Sequence, residues 1–206
     1  MKRAKNKLIY GVGINDANYE VAVIIGGKRN VCPFYRKWSA MIERCYSEQS
    51  LTAKPTYIGC SVVEDWLTFS SFKTWMIKQE WQGMQLDKDI LKEGNKVYGP
   101  DTCAFVDRRT NILLTEKRAQ VGLYPAGVTR RKNSNRYISA SHSGSKNPMY
   151  IGSFGTPEAA RKAYLNVKSK IVIKVALTQP DRRVFLALLG RSVAMRNEMK
   201  SMQERG

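Results

Sequence analysis

The chain has 206 residues, 43% of them hydrophobic, and a formal net charge of +18. That length suits one or two folded domains, and a charge this large favours an anionic partner. No apolar run approaches the roughly 18 residues of a membrane span. The basic start MKRAKNK has no apolar segment behind it, as a secretory signal would. Cys32, Cys45, Cys60 and Cys103 show no CxxC spacing and no histidine nearby, which argues against a zinc site and for buried free thiols. These absences point to a reducing, cytoplasmic setting. The charge is also uneven. Residues 1–115 carry 17 Lys/Arg against 12 Asp/Glu, whereas residues 116–206 carry 18 against 5, so most of the excess lies in the second half.

Taken in order, the basic tail could touch phosphate or simply be solvated. Leu8–Val12 and Tyr19–Ile25 have strand composition with INDAN as turn material, which predicts a β-hairpin. From Pro33 to Tyr46 the spacing is helical, with Trp38, Met41, Ile42 and Cys45 on one face. A polar loop, Ser47–Pro55, leads to a short strand over Tyr57–Val63 and a second helix over Glu64–Gln79. That helix has an aromatic face of Trp66, Phe69, Phe72 and Trp75, continued by Met76. Such a row can stack bases in a basic protein, but at helical spacing it reads as core. Next come a strand (Leu86–Leu91), a turn-rich loop (Lys92–Thr102), a strand (Cys103–Val106) and a short helix (Asp107–Thr115).

This strand, strand, helix order, in the wording LDKDILKEGNKVYGPDTCAFVDRRTNILLTEK, resembles the HNH, or ββα-metal, nuclease family. Together with WSAMIERCYS and EDWLTFSSFKTWM, residues 8–118 look like phage-borne homing-endonuclease-like proteins in which an HNH module precedes a DNA-binding module. The resemblance implies a histidine general base on the first strand and one divalent ion, Mg or Mn, held by a preceding Asp and a helical His or Asn. It also implies an Asn that orients the base. Position by position, Asp87 and Asn111 stand at the metal-ligand places, Lys88 at that of the base and Thr102 at that of the orienting Asn. The metal ligands are kept and the base is changed. A lysine serves as a base only if burial lowers its pKa. Asp89, expected on the same strand face as Asp87, is the other candidate for the base. The sole histidine, His142, lies in the second half of the chain.

After a linker with Gly and Pro (residues 116–126), Gly127–Arg131, Arg136–His142 and Met149–Phe154 predict a three-stranded antiparallel sheet. Thr156, Pro157 and Glu158 mark a helix start. Ala159, Ala160, Ala163, Tyr164 and Val167 then form a face that can pack on one side of the sheet, leaving the other side uncovered. The run YIGSF followed by TPEAARKAY, with Gly127, Val128 and Tyr137, resembles the APETALA/ethylene-response-factor type of DNA-binding domain. In that family the sheet lies in the major groove. The resemblance places Arg131, His142 and Tyr150 at contact positions, with Arg130, Lys132, Arg136 and Lys146 suited to phosphate. It departs from the family at Ala126, Thr129 and Pro148, where contact arginines are usual. Pro180–Gly206 reads as one or two basic helices, with Val184, Phe185, Leu188 and Leu189 facing either the preceding helix or a second subunit in a homodimer.

The expected architecture is therefore α+β. An HNH-like module with flanking helices spans 1–115 and the sheet-plus-helix domain spans 127–177, followed by a helical extension over 178–206. The expected function is duplex DNA binding with an altered or inactive nuclease centre and no cofactor. The alternatives are an active Mg- or Mn-dependent endonuclease and a factor that binds an acidic host protein mimicking DNA. If the chain is phage-encoded, its place is on the host nucleoid.

Overall fold

The computed structural model describes residues 8–114, 123–141 and 148–204. The fold is mixed α+β with several small sheets, and the chain divides into two compact units, Met1–Phe105 and Val106–Gly206. Among the described residues no helix is long and apolar enough to cross a membrane.

The first unit is built on α1 (Pro33–Tyr46), whose proline lies in the first turn, where a missing N–H costs nothing. Its buried residues are Trp38, Met41, Ile42 and Cys45, the face expected from their spacing. Trp38 is fully buried, and its indole N–H donates to the Trp66 carbonyl at 2.7 Å, so the ring's one polar atom is satisfied inside the core. A short α2 (Glu48–Ala53) follows, capped by the Ser47 hydroxyl, which accepts from Ser50 N.

The N-terminal hairpin differs from expectation. The strands are β1 (Ala22–Ile25) and β2 (Lys28–Val31), and Leu8–Ile14 instead curls into a turn in which Ile9 and Gly13 bridge. The reversal occurs at Gly26-Gly27, with φ of 58° and 73°. Positive φ at both central residues is what a tight hairpin turn needs, and glycine reaches it without strain. The aromatic segment is also two helices rather than one, α3 (Glu64–Leu67) and α4 (Phe69–Ile77). Thr68 between them is extended because Ile14 is inserted there, its N–H donating to Leu67 O and its carbonyl accepting from Phe69 N. Trp66, Phe69, Phe72 and Met76 are nevertheless buried, and Trp66 meets Phe72 edge-to-face with centroids 5.1 Å apart. This row is core, not a stacking platform.

Short strands complete the unit. After a 3-10 turn at Pro55–Tyr57, β3 (Ser61–Val62) pairs in parallel with β5 (Val97–Tyr98). β4 (Gln85–Asp87) pairs with β6 (Ala104–Val106), at whose end the first unit passes into the second. Cys45, Cys60 and Cys103 are buried free thiols. Burial pushes Cys45 up to about 12 and Cys103 up to about 11, which keeps them protonated and unreactive.

The second unit opens with α5 (Arg108–Leu114), entered through Asp107, whose carboxylate accepts from Thr110 N and Thr110 Oγ1, both at 2.8 Å. Then come β7 (Val128–Arg130), β8 (Tyr137–Ser141) and β9 (Met149–Phe154), an antiparallel sheet in the order β7-β8-β9. The helix α6 (Pro157–Ala176) starts as its sequence implies, with Thr156 Oγ1 accepting from Ala159 N at 3.1 Å. A single helix, α7 (Arg182–Gln203), forms the C-terminal extension, capped by Asp181. The layers are sheet, α6 and α7, so α6 is buried on two sides. Tyr164 faces Gly127 at the start of β7, while Arg161 and Ser169 bond to α7. That double burial explains why Leu165 and Lys168, outside the expected face, are 1% and 2% exposed.

Candidate nucleic-acid interface

The geometry of the sheet decides which side chains it presents. Val128 pairs with Ser139, and Tyr137 with Phe154. Val128, Ser139 and Ser141 are buried against the helix layer, small enough for a close approach by α6. Strand alternation puts Thr129, Arg131, Arg136, Ile138 and Ala140 on the opposite face, where the first three are exposed and the last two half-buried.

Tyr150 reaches that outer face only through an irregularity. Ser139 pairs with Gly152 but Ala140 pairs with Tyr150, so Ile151 is the extra residue of a bulge. In regular register Tyr150 would stand opposite Ser141, on the buried face. Because the side-chain period is two, a one-residue slip moves everything beyond it to the other side. Tyr150 is 64% exposed, whereas Ser141 is fully buried.

The basic residues fall into two groups. Arg136 is braced across the outer face, its Nε donating to Ser153 Oγ at 3.0 Å and its Nη2 to Ser153 O at 2.6 Å. Arg130 is folded into the β7–β8 turn, donating to Asn135 Oδ1 at 3.0 Å and to Ser134 O. Arg131 and Lys132 are exposed beside them, and the turn from Arg130 to Asn135 encloses an open concavity of about 690 Å³. Asn133 holds the left-handed conformation (φ 53°) that this tight reversal needs, one that asparagine tolerates. Two residues of the expected set, His142 and Lys146, lie outside the described residues.

The unit is braced by Arg161 on α6. It makes a two-bonded pair with Glu198 on α7, Nε to Oε1 at 2.9 Å and Nη2 to Oε2 at 3.1 Å, and its Nη1 donates to Ala126 O at 2.8 Å. One side chain thus fastens both helices to the approach of β7. A two-bonded guanidinium–carboxylate pair is a stronger and more directional contact than an ordinary surface pair.

The residues expected at nuclease positions from the sequence sit as follows. Asp87 ends β4, and its Oδ1 accepts the N–H groups of Asp89 at 2.7 Å and Ile90 at 2.6 Å. These bonds turn the chain, so Asp89 is not on a strand beside Asp87, contrary to expectation. Lys88 is buried (7% exposed), and its Nζ donates to both carboxylate oxygens of Asp89 at 2.8 and 2.9 Å and to Asn95 O at 2.6 Å. These three bonds tie the nitrogen to Asp89 and Asn95, which suits a clamp on the Lys88–Asn95 loop. Asn95 completes it by donating from Nδ2 to Lys88 O and Val97 O. Thr102 is also spent locally, donating to Val97 O at 2.7 Å. Asn111 lies on α5, in the second unit.

Burial raises the Asp87 carboxyl above its ordinary value, against the lowering effect of the two backbone bonds. A carboxyl so raised holds its proton more tightly folded than unfolded. The stability it contributes is therefore present below the unfolded value and lost as pH rises through the folded one. Asp87→Asn keeps the shape and removes the titration. The unfolding free energy of the unaltered chain, relative to this variant, should fall as pH is raised from below the usual carboxylate range to neutrality. Urea titrations of both proteins across that range check it, and parallel curves would refute the burial account.

Comparison with protein-family models, curated proteins and solved structures finds no match for this chain.

Proposed function

We propose that this chain is a duplex-DNA-binding protein derived from a homing-type HNH endonuclease, with an altered or inactive nuclease centre. The observation that carries the reading is the outer face of the β7-β8-β9 sheet, which holds Arg131 and Tyr150 exposed in the half of the chain with 18 basic and 5 acidic residues. A sheet with an exposed cationic and aromatic face can be pressed into a major groove, its arginines and aromatic side chains reaching bases and phosphates. The local resemblance to the APETALA/ethylene-response-factor pattern supports the same use of this sheet. For the nuclease centre, the engagement of Lys88 with Asp89 and Asn95 supports a lost base.

The test is fluorescence anisotropy of a labelled duplex over a salt series. Neutralised phosphates release counterions, so affinity should fall by at least about tenfold between ~50 and ~200 mM salt. Affinity unchanged over that range would overturn the proposal.

A second reading, a working Mg- or Mn-dependent endonuclease, is favoured by one observation. Asp87 stands at the end of β4, and among the described residues only its Oδ1 is taken by backbone bonds. A carboxylate oxygen is a suitable donor for either ion. Bound there, the ion would stabilise charge developing on a phosphodiester. Nicking of supercoiled plasmid with Mg or Mn, abolished by Asp87→Ala, would establish this reading. No nicking by the unaltered protein is the result expected here.

A further inference from the structure

The β1–β2 hairpin contributes little to the core of its unit. Ile24 and Ile25 are 78% and 63% exposed, and only Ala22 and Val31, at its base, are half-buried along with Val21 and Cys32. Isolated exposed apolar residues are ordinary, but two isoleucines beside the tip of a ribbon, one on each of its faces, leave apolar surface on both that the fold does not use. The cross-strand pairs place a cation beside each on the same face, Arg29 opposite Ile24 on one side of the ribbon and Lys28 opposite Ile25 on the other. At the tip, Gly26 and Gly27 have no side chains, and nothing approaches within 4 Å of where a Cβ would be. The base is fastened to the start of α1 by Cys32 N donating to Val21 O at 2.8 Å.

We infer that this hairpin is a DNA-contacting element in its own right, entering the major groove tip first with Ile24 on one face and Ile25 on the other against thymine methyl groups, and the longer Arg29 and Lys28 beside them reaching back toward phosphate. The inference rests on the DNA-binding reading proposed above. A two-stranded ribbon with its side chains fits a groove about 12 Å wide and not one about 6 Å wide. Four residues per strand give a reach of about 13 Å, more than the roughly 8.5 Å depth of that groove. The methyl of thymine is the apolar feature of the groove floor, and it suits a β-branched aliphatic tip. A second copy is a poor occupant, because each copy carries +18 and close approach sets like charges together.

The experiment uses the full chain and its Ile24→Ser/Ile25→Ser variant, with an alternating dA–dT duplex and the dA–dU counterpart that lacks the methyl groups. Both side chains are exposed, so the thermal midpoint of the variant should match that of the unaltered protein. On the thymine duplex the variant should bind about tenfold more weakly, the equivalent of one well-buried aliphatic contact. On the uracil duplex the two proteins should bind alike. Equal binding of the two proteins on both duplexes overturns the hairpin inference and leaves the DNA-binding reading standing. So does a loss of the same size on both duplexes, or a change in sedimenting mass that identifies the tip as a protein interface. Failure of the unaltered protein to bind either duplex overturns both.

Discussion

Replacing Gly127 by alanine is expected to destabilise the second unit by about 3 kcal/mol or more, a large fraction of a domain's stability. Two independent costs combine. Gly127 has φ of 81°, a conformation that L side chains rarely adopt. A Cβ built there would also lie 2.1 Å from Cδ2 and 2.4 Å from Cγ of Tyr164, whose ring is buried. Those atoms belong to the body of the ring, so relief requires moving α6 or the start of β7, as in an overpacked core. Gly155→Ala is the control, since nothing lies within 4 Å of its Cβ position and its φ is not positive. It should change stability by less than about 1 kcal/mol. Thermal and urea unfolding of both variants measure the contrast, and equal midpoints would refute the close-packing account. Because Gly127 leads into β7, its replacement should also weaken DNA binding, whereas Gly155→Ala should not.

The second large effect concerns the outer face of the sheet. Arg131→Ala and Tyr150→Ala should each weaken duplex binding by about tenfold, and together by about a hundredfold, as for central anchors of an interface. Their salt dependences should separate them. Removing Arg131 deletes a cation and should reduce the slope of log affinity against log salt by about 1, while removing Tyr150 should leave the slope unchanged. Replacing Lys5 or Lys7 of the basic tail should cost less than either. Both sheet residues are exposed, Tyr150 by 64%, so unchanged thermal midpoints will separate binding from folding. Variants that bind like the unaltered protein would remove the sheet from the interface. Stronger effects from the tail lysines than from Arg131 would do the same.

The residues singled out by the resemblance to the HNH family were only partly legible in the sequence. Asp87 and Asn111 could be placed on a strand and a helix from the order of the segments, whereas Lys88, expected on the strand, falls just beyond the end of β4. What Lys88 does could not, because its partners include Asn95, seven residues on, across a loop closed by the Asn95 side chain. Nor could the turn that takes Asp89 off the strand be foreseen, since it depends on which donors the Asp87 carboxylate meets.

Local chemistry in the sequence determined much of this protein. Aromatic and aliphatic spacing marked the buried face of α1, Thr156 and Pro157 marked the start of α6, and short β-branched runs marked β7, β8 and β9. These signals act within a few residues, where helix and strand periodicity, capping and turn preferences operate. Tertiary structure alone decided the rest. Ile14 split one expected helix into α3 and α4 by hydrogen-bonding from more than fifty residues away, and β3 found a parallel partner in β5. A bulge at Ile151 turned Tyr150 outward, and Arg161 was drawn to Glu198 and Ala126. Such outcomes depend on which distant backbone and side-chain groups meet once the core closes. The period of a strand states that its faces differ, but only pairing in register states which face lies outside.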